Sequence, residues 1–302
     1  MFARRKNRSM SDRTTFQARP PLIETLEQRR LLSVSLDNGV LTVVGSKKAD
    51  VITCSLDSTG TMLHLSENGA ASDFPLDQVT GINISGGNGN DIVTLDPAVT
   101  LPGTLDGGNG SDQLFGGSGD DLMDGGNGKD ILHGGAGNDT ESGGNANDTV
   151  DGEAGDDSLD GGNGKDLLDG GDGNDDCHGG AGNDRIAGGV GNDALHGEAG
   201  KDDLTGDDGD DAMDGGTGND LLDGGVGNDN LVGGVGKDHC RGGQGDDQFD
   251  DNSDGAKEIE DRGPDDTRGH GNEPGDNSGG GNSGGPGGLD QSPQPGDDRG
   301  GK

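Results

Sequence analysis

The chain has few of the residues from which a hydrophobic core is built. Its 302 residues include no tryptophan and no tyrosine, aromatic residues make up 2%, and hydrophobic residues make up 25%. With a formal net charge of −38, this composition excludes an ordinary globular core. No apolar run is long enough to span a membrane or to form the hydrophobic part of a secretory signal. So acidic a chain also disfavours nucleic acid and anionic membranes as partners and favours cations.

The first 33 residues differ from the rest in charge, because eight lysines and arginines stand against three acidic residues there. The stretch "PPLIETLEQRRLLS" predicts a short helix that begins after Pro21. Its segment "LEQRRLLS" resembles the short L-E-x-R-x-L-L motif at the N-termini of some large bacterial surface proteins. Residues 1–33 are therefore either a basic leader with a sorting motif or a basic disordered leader without one.

Residues 34–106 are expected to form a small N-terminal cap of short strands. The run "VSLDNGVLTVVGS" alternates on both sides of Asp37-Asn38-Gly39, which predicts a hairpin because Asn and Gly tolerate positive φ. Further strands are predicted at "DVITCSL", "TMLHLSE" and "GINIS". Their expected inward side chains are Val51, Leu63, Leu65, Ile82 and Ile84. This segment is too small for a usual active-site cleft, so its expected role is to seed the fold that follows.

A nine-residue repeat unit dominates the middle of the chain. One unit, "GGNGNDIVT", occupies 86–94 and is followed by the twelve-residue interruption "LDPAVTLPGTLD". Sixteen units then run from Gly107 to Asp250 without insertion or deletion. Position one is always Gly, position six is always Asp, and position eight is apolar except at Glu141. Glycine also fills positions two and four, except at Glu153, Glu198, Asp207 and Ala146.

This pattern is similar to the G-G-x-G-x-D-x-U-x nonapeptide of RTX, or hemolysin-type, calcium-binding proteins. Its seventeen units cover about half of the chain. The resemblance implies an all-β fold, a parallel β-roll (a right-handed β-helix). In that fold two units form one coil, and units eighteen residues apart stack directly. The resemblance also implies that Ca²⁺ binds in the turns.

The residue types support the same fold on physical grounds. The segment x-U-x suits a short strand with one inward side chain, and G-G-x-G-x-D suits a turn because glycine reaches backbone angles closed to other residues. One buried side chain per unit is a small gain against backbone entropy, and stacked aspartates repel one another. Ca²⁺ offsets that repulsion because it takes about six to eight oxygen ligands at flexible geometry, whereas Mg²⁺ demands a smaller octahedral shell. We therefore expect calcium binding and folding to be one event.

The predicted calcium ligands are the aspartates at position six. They are Asp91, Asp112, Asp121, Asp130, Asp139, Asp148, Asp157, Asp166, Asp175, Asp184, Asp193, Asp202, Asp211, Asp220, Asp229, Asp238 and Asp247. The contiguous block should form eight coils with seven gaps on each side, which gives an upper bound of about fourteen Ca²⁺ ions. Aspartates at position nine, such as Asp169, are expected to face water.

Three further features of the repeat carry expectations. Glu141 and Ala146 predict that 140–148 is the loosest part of the rod. Cys177 and Cys240 should lie on opposite faces and several coils apart, and Cys54 has no obvious mate, so free, buried thiols are expected.

Histidine offers one more pattern. Asp160, His178, His196 and Asp214 are each eighteen residues apart, so they should form one outward column. Its side chains are either simply solvated, or the two imidazoles bind Zn²⁺ or Ni²⁺ weakly.

The pattern predicts a binding protein and not an enzyme. The chain has no H-E-x-x-H motif, its six histidines are scattered, and no Glu closes an EF-hand loop. The Gly/Asp/Pro/Ser-rich tail, 251–302, is expected to be disordered.

Two functions fit these expectations. The favoured one is a secreted or cell-surface, non-catalytic calcium-binding protein with a structural or adhesive role and a cell-envelope or matrix partner. The extracellular setting is expected because the Ca²⁺ concentration outside the cell is high enough to fill sites of weak affinity. The alternative is the calcium-triggered secretion or folding module of a hemolysin-like toxin or secreted hydrolase. That alternative needs an effector domain larger than residues 34–94.

Overall fold

A computed structural model of the protein describes residues 33–250 and 259–261. The leader with its expected sorting motif lies outside the described residues, as does the expected disorder of most of the tail. Within the described part, the only regular element that is not a strand is a one-turn 3₁₀ helix at Leu76–Gln78. That part holds no helix with the length and apolarity needed to cross a bilayer.

The strands form two sheets that face each other across the core. The first sheet has sixteen strands: β1 (Ser33–Asp37), β2 (Val40–Val44), β6 (Gly81–Asn88), β8 (Gly103–Asn109), β10 (Leu122–Asn127), β12 (Thr140–Asn145), β14 (Ser158–Gly164), β16 (Asp176–His178), β17 (Ala181–Gly182), β19 (Ala194–His196), β20 (Ala199–Gly200), β22 (Ala212–Asp214), β23 (Thr217–Gly218), β25 (Asn230–Val232), β26 (Val235–Gly236) and β28 (Gln248–Asp250).

The second sheet has thirteen strands: β3 (Val51–Leu56), β4 (Met62–Glu67), β5 (Ala70–Pro75), β7 (Ile92–Leu95), β9 (Gln113–Phe115), β11 (Ile131–Ala136), β13 (Thr149–Ala154), β15 (Leu167–Asp172), β18 (Arg185–Val190), β21 (Asp203–Asp208), β24 (Leu221–Val226), β27 (His239–Gln244) and β29 (Ile259–Asp261). The last of these, β29, lies inside the tail that was expected to be disordered and pairs in parallel with β27.

Repeat units eighteen residues apart stack in parallel and in register, as predicted. In the first sheet Met123 pairs with Glu141, and in the second sheet Leu132 pairs with Val150. Consecutive units alternate between the two sheets, so two units make one coil. The fold is therefore the parallel β-roll that the repeat predicted.

The core of the roll consists of stacked position-eight side chains from both sheets. Leu114, Leu132, Leu159 and Ile186 are fully buried, and most other position-eight residues are buried to the same degree. Glu141 occupies the same kind of position and is only 1% exposed. Each repeat unit thus contributes one side chain to the core, because the residues on either side of it point outward.

The N-terminal strands extend the two sheets of the same solenoid, with β1, β4 and β5 added in antiparallel pairs. The hairpin of β1 and β2 turns at Asn38 and Gly39, both at positive φ as predicted. β2 then pairs in parallel with β6, and β3 pairs in parallel with β7. β2, β3, β4, β6 and β7 each bury two hydrophobic side chains, for example Leu41 and Val43 in β2, so these strands bury more apolar surface than a repeat unit does.

One inward assignment in the cap was wrong. Leu63, Leu65, Ile82 and Ile84 are buried as predicted, but Val51 is 47% exposed. The strand buries Ile52 and Cys54 instead, because Ile52 pairs with Val93 of the next coil and side chains alternate.

The twelve-residue interruption does not break the solenoid. β6 pairs directly with β8, with Ser85 opposite Asp106 and Gly87 opposite Gly108. The offset is 21 residues in place of eighteen, so the interruption replaces one nine-residue unit with a unit three residues longer. The unit at 86–94 is therefore continuous with the block that follows.

Glycine is favoured at two turn positions for different reasons. At position two the backbone has positive φ, as at Gly126 (φ 91°). At position four the coils touch, since a Cβ on Gly128 would collide with the carbonyl oxygen of Gly110. The exceptions Glu153, Glu198, Asp207 and Ala146 adopt positive φ with a side chain, at a cost of about 1–2 kcal/mol each.

The three cysteines are free and buried, as expected. Cys177 lies in the first sheet and Cys240 in the second. A ladder of asparagine amides at position three adds a polar contact along the outside. Asn109, Asn127, Asn145 and Asn163 each donate from Nδ2 to Oδ1 of the asparagine one coil earlier, at 3.0–3.2 Å.

Glu141 generates a stability prediction. Burial raises the pKa of its carboxyl to about 9, and neither of its oxygens has a hydrogen-bond partner. Replacing it with Leu (Glu141→Leu) should raise the free energy of unfolding by about 1–3 kcal/mol, because an unsatisfied buried polar group is removed. The measurement is urea unfolding at saturating Ca²⁺, together with limited proteolysis at intermediate Ca²⁺.

The wild-type rod should be cut first within 140–148, and the Glu141→Leu rod should lose that preference. Thr140→Ala, on the exposed face of the same strand, is the matched control and should change neither result. A Glu141→Leu variant no more stable than wild type would contradict the prediction.

Candidate metal centres

The seventeen position-six aspartates are all buried, none of them more than 3% exposed. They stack in two columns, one on each side of the roll. The first column contains Asp91, Asp112, Asp130, Asp148, Asp166, Asp184, Asp202, Asp220 and Asp238, and the second contains Asp121, Asp139, Asp157, Asp175, Asp193, Asp211, Asp229 and Asp247. The sequence predicted these residues as a set, and the fold places each beside its equivalents one coil away.

One carboxylate oxygen of each column member is held by the protein. The backbone N–H of Asp112 donates to Asp130 Oδ1 at 2.7 Å, and the N–H of Asp121 donates to Asp139 Oδ1 at 2.7 Å. The same bond recurs along both columns, up to Asp229 and Asp247 at 3.1 Å. Each carboxylate is thereby fixed between its own turn and the preceding one.

The other carboxylate oxygen is buried without a hydrogen-bond partner. This holds for Oδ2 of Asp91, Asp112, Asp130, Asp139, Asp148, Asp157, Asp166, Asp175, Asp184, Asp193, Asp202, Asp211, Asp220 and Asp229. A buried, unpaired carboxylate oxygen is costly, and here the cost recurs on every turn.

Carbonyl oxygens of the next coil converge on the same place. A Cβ on Gly107 would lie 2.8 Å from both Asp112 Oδ2 and the carbonyl oxygen of Gly125. A Cβ on Gly125 would meet Asp130 Oδ2 at 2.9 Å and the Gly143 carbonyl oxygen at 2.7 Å. The glycine at position one therefore leaves a space bordered by an orphaned carboxylate oxygen and a carbonyl oxygen. Hard oxygen donors of these two kinds are the ligands that Ca²⁺ takes, so the residues fit this ion.

The columns are electrostatically unfavourable by themselves. Burial, helped by the neighbouring aspartates of the same column, raises the pKa to about 7 from an ordinary 3.8 for Asp130, Asp157, Asp166 and Asp211. The pKa is about 6, for the same reasons, for Asp91, Asp139, Asp175, Asp202, Asp220 and Asp229. The bonds from backbone N–H groups act in the opposite direction but do not cancel the effect. A cation bound beside these carboxylates would offset their repulsion.

The two columns begin differently from how they continue. Asp121, the first of its column, has both oxygens satisfied, since the N–H of Gly103 donates to Oδ1 and the N–H of Gly117 donates to Oδ2. Although Asp121 belongs to the predicted ligand set, its carboxylate has no orphaned oxygen.

The first column begins earlier in the chain than the repeat pattern predicted. Asp50 is 1% exposed, and its N–H donates to Asp91 Oδ1 at 2.6 Å, as in every later step. Both its oxygens are satisfied, by the Ser46 N–H and the Asn68 amide. The missed signal is "GSKKADVIT" at 45–53, a degenerate repeat unit with Gly first, Asp sixth and the buried Ile52 eighth.

A matched pair of substitutions tests the assignment of ligands. Asp166→Asn removes the charge of a buried column member, and Asp169→Asn removes the charge of an exposed aspartate three residues later in the same repeat unit. We expect Asp166→Asn to raise the Ca²⁺ concentration at the folding midpoint about tenfold, because ligand charge sets calcium affinity. Asp169→Asn should leave the midpoint within about twofold of wild type by the same reasoning. Circular dichroism during Ca²⁺ titration measures both, and equal shifts would refute the assignment.

Comparison with known proteins agrees with this geometry. The family of the RTX calcium-binding nonapeptide repeat matches the chain in four consecutive copies, at residues 106–141, 142–177, 178–213 and 214–249. No curated protein matches the chain. The four copies contain every position-six aspartate from Asp112 to Asp247, which are the residues of the two columns after Asp91. Residues 106–249 therefore belong to the family of the RTX calcium-binding nonapeptide repeat, and they form a parallel β-roll.

Proposed function

We propose that the protein is a non-catalytic structural or adhesive element of the cell exterior, secreted or held at the cell surface, whose rod assembles when Ca²⁺ fills the two aspartate columns. The observation that carries the proposal is the orphaned, buried carboxylate oxygen that recurs turn after turn beside a carbonyl oxygen of the next coil. Many identical weak sites in a row build a stiff rod and supply no reacting centre.

In this proposal the position-six aspartates hold the ions, with one carboxylate oxygen directed at the ion and the other kept on the backbone N–H of the preceding turn. Position-one glycines contribute carbonyl oxygens from the adjacent coil. Ca²⁺ supplies the positive charge that removes the repulsion within each column. The contiguous block has room for about fourteen ions, and Asp121 contributes least because its oxygens already have donors.

The extracellular setting follows from the expected strength of the sites. Each site must first overcome the cost of ordering glycine-rich turns, so the net affinity is weak. Extracellular calcium modules work at dissociation constants of about 10⁻⁴–10⁻³ M. Outside the cell the rod would be loaded and folded, and a cell-envelope or matrix component is the partner class that suits an extended acidic surface.

The alternative is the calcium-triggered module of a toxin or hydrolase, which requires an effector domain. Among the described residues, the strands of 33–106 belong to the first coils of the solenoid and form no separate domain. This placement favours the structural role.

Calcium removal is the primary test of the proposal. Thorough chelation at pH 7 should abolish the β-sheet signal in circular dichroism and expand the chain in small-angle X-ray scattering, and Ca²⁺ should restore both cooperatively. Mg²⁺ at the same concentration is the control and should restore little, because it demands a small octahedral shell. An equally compact, sheet-rich state after chelation would refute the proposal.

Acid should partly replace calcium in stabilising the fold. The column aspartates have raised pKa values of about 6–7 in the fold against an ordinary 3.8, so the folded, metal-free form binds more protons than the unfolded form between these values. Its stability must therefore rise as the pH falls from about 7 to 4. We expect chelated protein to gain β-sheet signal over this window, while its affinity for added Ca²⁺ falls. A sheet signal that decreases steadily on acidification would contradict the expectation.

A further inference from the structure

A column of outward side chains on the first sheet brings two imidazoles together. Asp160 stands opposite His178, His178 opposite His196, and His196 opposite Asp214, as the spacing of eighteen predicted. The two histidine rings stack with centroids 4.6 Å apart and planes 17° apart. Neither histidine belongs to the aspartate columns, because both lie at position nine and point away from the core.

Asp176 joins this pair from two residues along the same strand. Its Oδ1 lies 3.0 Å from His178 Nε2 and 3.9 Å from His196 Nε2, so both ring nitrogens are directed at one carboxylate oxygen. The donor atoms of the three residues all lie within 4.8 Å of one another. Asp176 is exposed, whereas its neighbour Asp175 is buried in the second aspartate column, so the two carboxylates serve different faces.

We propose that Asp176, His178 and His196 form a site for a divalent transition metal of the Zn²⁺ class, separate from the calcium columns. Imidazole nitrogen prefers such ions, whereas Ca²⁺ takes oxygen donors. Two histidines and one carboxylate are a complete set of three protein ligands, and water takes the fourth position because the side chains are partly open to solvent. Bound metal ties adjacent coils together from outside the roll.

Glu198 orients the first of the two histidines. Its Oε1 lies 3.2 Å from His178 Nδ1, the ring nitrogen that faces away from Asp176. A carboxylate in this place keeps the proton on Nδ1 and leaves the Nε2 lone pair for metal, which is the usual arrangement behind a metal-bound histidine. Glu198 is thus a positioning residue, and it occupies a position-two site at φ 65° where glycine is the rule.

A second cluster provides an internal control. His133 Nδ1 lies 3.2 Å from Asp151 Oδ2 and 3.4 Å from Glu153 Oε1, which repeats the spacing of His178 to Glu198. The ring stacked on His133, however, is Phe115, with centroids 5.3 Å apart. Having one imidazole in place of two, this cluster should bind a transition metal far more weakly.

The test is a Zn²⁺ titration of the full chain, without a polyhistidine tag, at saturating Ca²⁺ so that the aspartate columns are occupied. Isothermal calorimetry gives the affinity, and ¹⁵N-edited NMR of the imidazoles shows which rings bind. The variants are His178→Ala, His196→Ala and Glu198→Gln, with His133→Ala as the control. Circular dichroism checks that each variant keeps its Ca²⁺-dependent fold, which separates this test from that of the proposed function.

We expect one Zn²⁺ site in the wild-type protein, with Zn²⁺ shifting the Nε2 signals of His178 and His196. Affinity should fall at least about tenfold in His178→Ala and His196→Ala, and about tenfold in Glu198→Gln. His133→Ala should bind as tightly as wild type. Equal affinity of wild type and the two histidine variants, or Zn²⁺ shifts confined to other rings, would overturn the proposal, as would no binding at all.

Discussion

The structure depends on stacks of buried carboxylates in which the protein supplies a hydrogen bond to only one oxygen of most carboxylates. In every coil, one oxygen of a column aspartate accepts a backbone N–H from the coil before it, and this bond fixes the stacking distance. In the columns from Asp112 to Asp220 and from Asp139 to Asp229, the other oxygen is buried beside a glycine and a carbonyl group without a hydrogen-bond partner. A protein with a large hydrophobic core can tolerate a few such groups. This roll, with one apolar side chain per repeat unit, must have them neutralised along its whole length.

The beginning of the rod is built differently. Five of the cap strands, β2, β3, β4, β6 and β7, each bury two hydrophobic side chains. The first aspartate of each column, Asp50 or Asp121, has donors for both oxygens. These coils therefore rely on hydrophobic burial and protein hydrogen bonds, whereas under the proposed function the coils after them rely on cations. Stacking is a nearest-neighbour process in solenoids, so a cap that forms first offers a template on which later coils add as ions bind.

Residues that depart from the repeat pattern have different structural effects at different positions of the unit. Glu141 replaces a core residue and gains no partner, so it weakens the rod locally. Glu153 and Glu198 replace turn glycines at a backbone cost, yet each reaches a histidine twenty residues earlier. The repeat thus tolerates change most readily where the new side chain points to the outside of the roll.

Much of this protein could be predicted from the sequence because its order is local and periodic. A strict period of nine, with Gly, Asp and an apolar residue at set positions, identified the inward side chains and the column aspartates. The resemblance of that period to the RTX nonapeptide implied the roll and its two-unit coil. The alternation rule failed at Val51, where a short strand without a repeat pattern allowed either face. The membership of Asp50 in the first column was missed because the hairpin of β4 and β5 separates its degenerate unit from the next one.

Only the tertiary structure decided which oxygens are left without partners, since that depends on how closely successive coils approach. The same holds for Asp176 and Glu198 beside the histidine pair: spacing placed the two histidines in one column, but the direction of each ring nitrogen is set by packing across neighbouring strands. A repeat specifies which residues stack, whereas atomic contacts between stacked turns specify what they can bind.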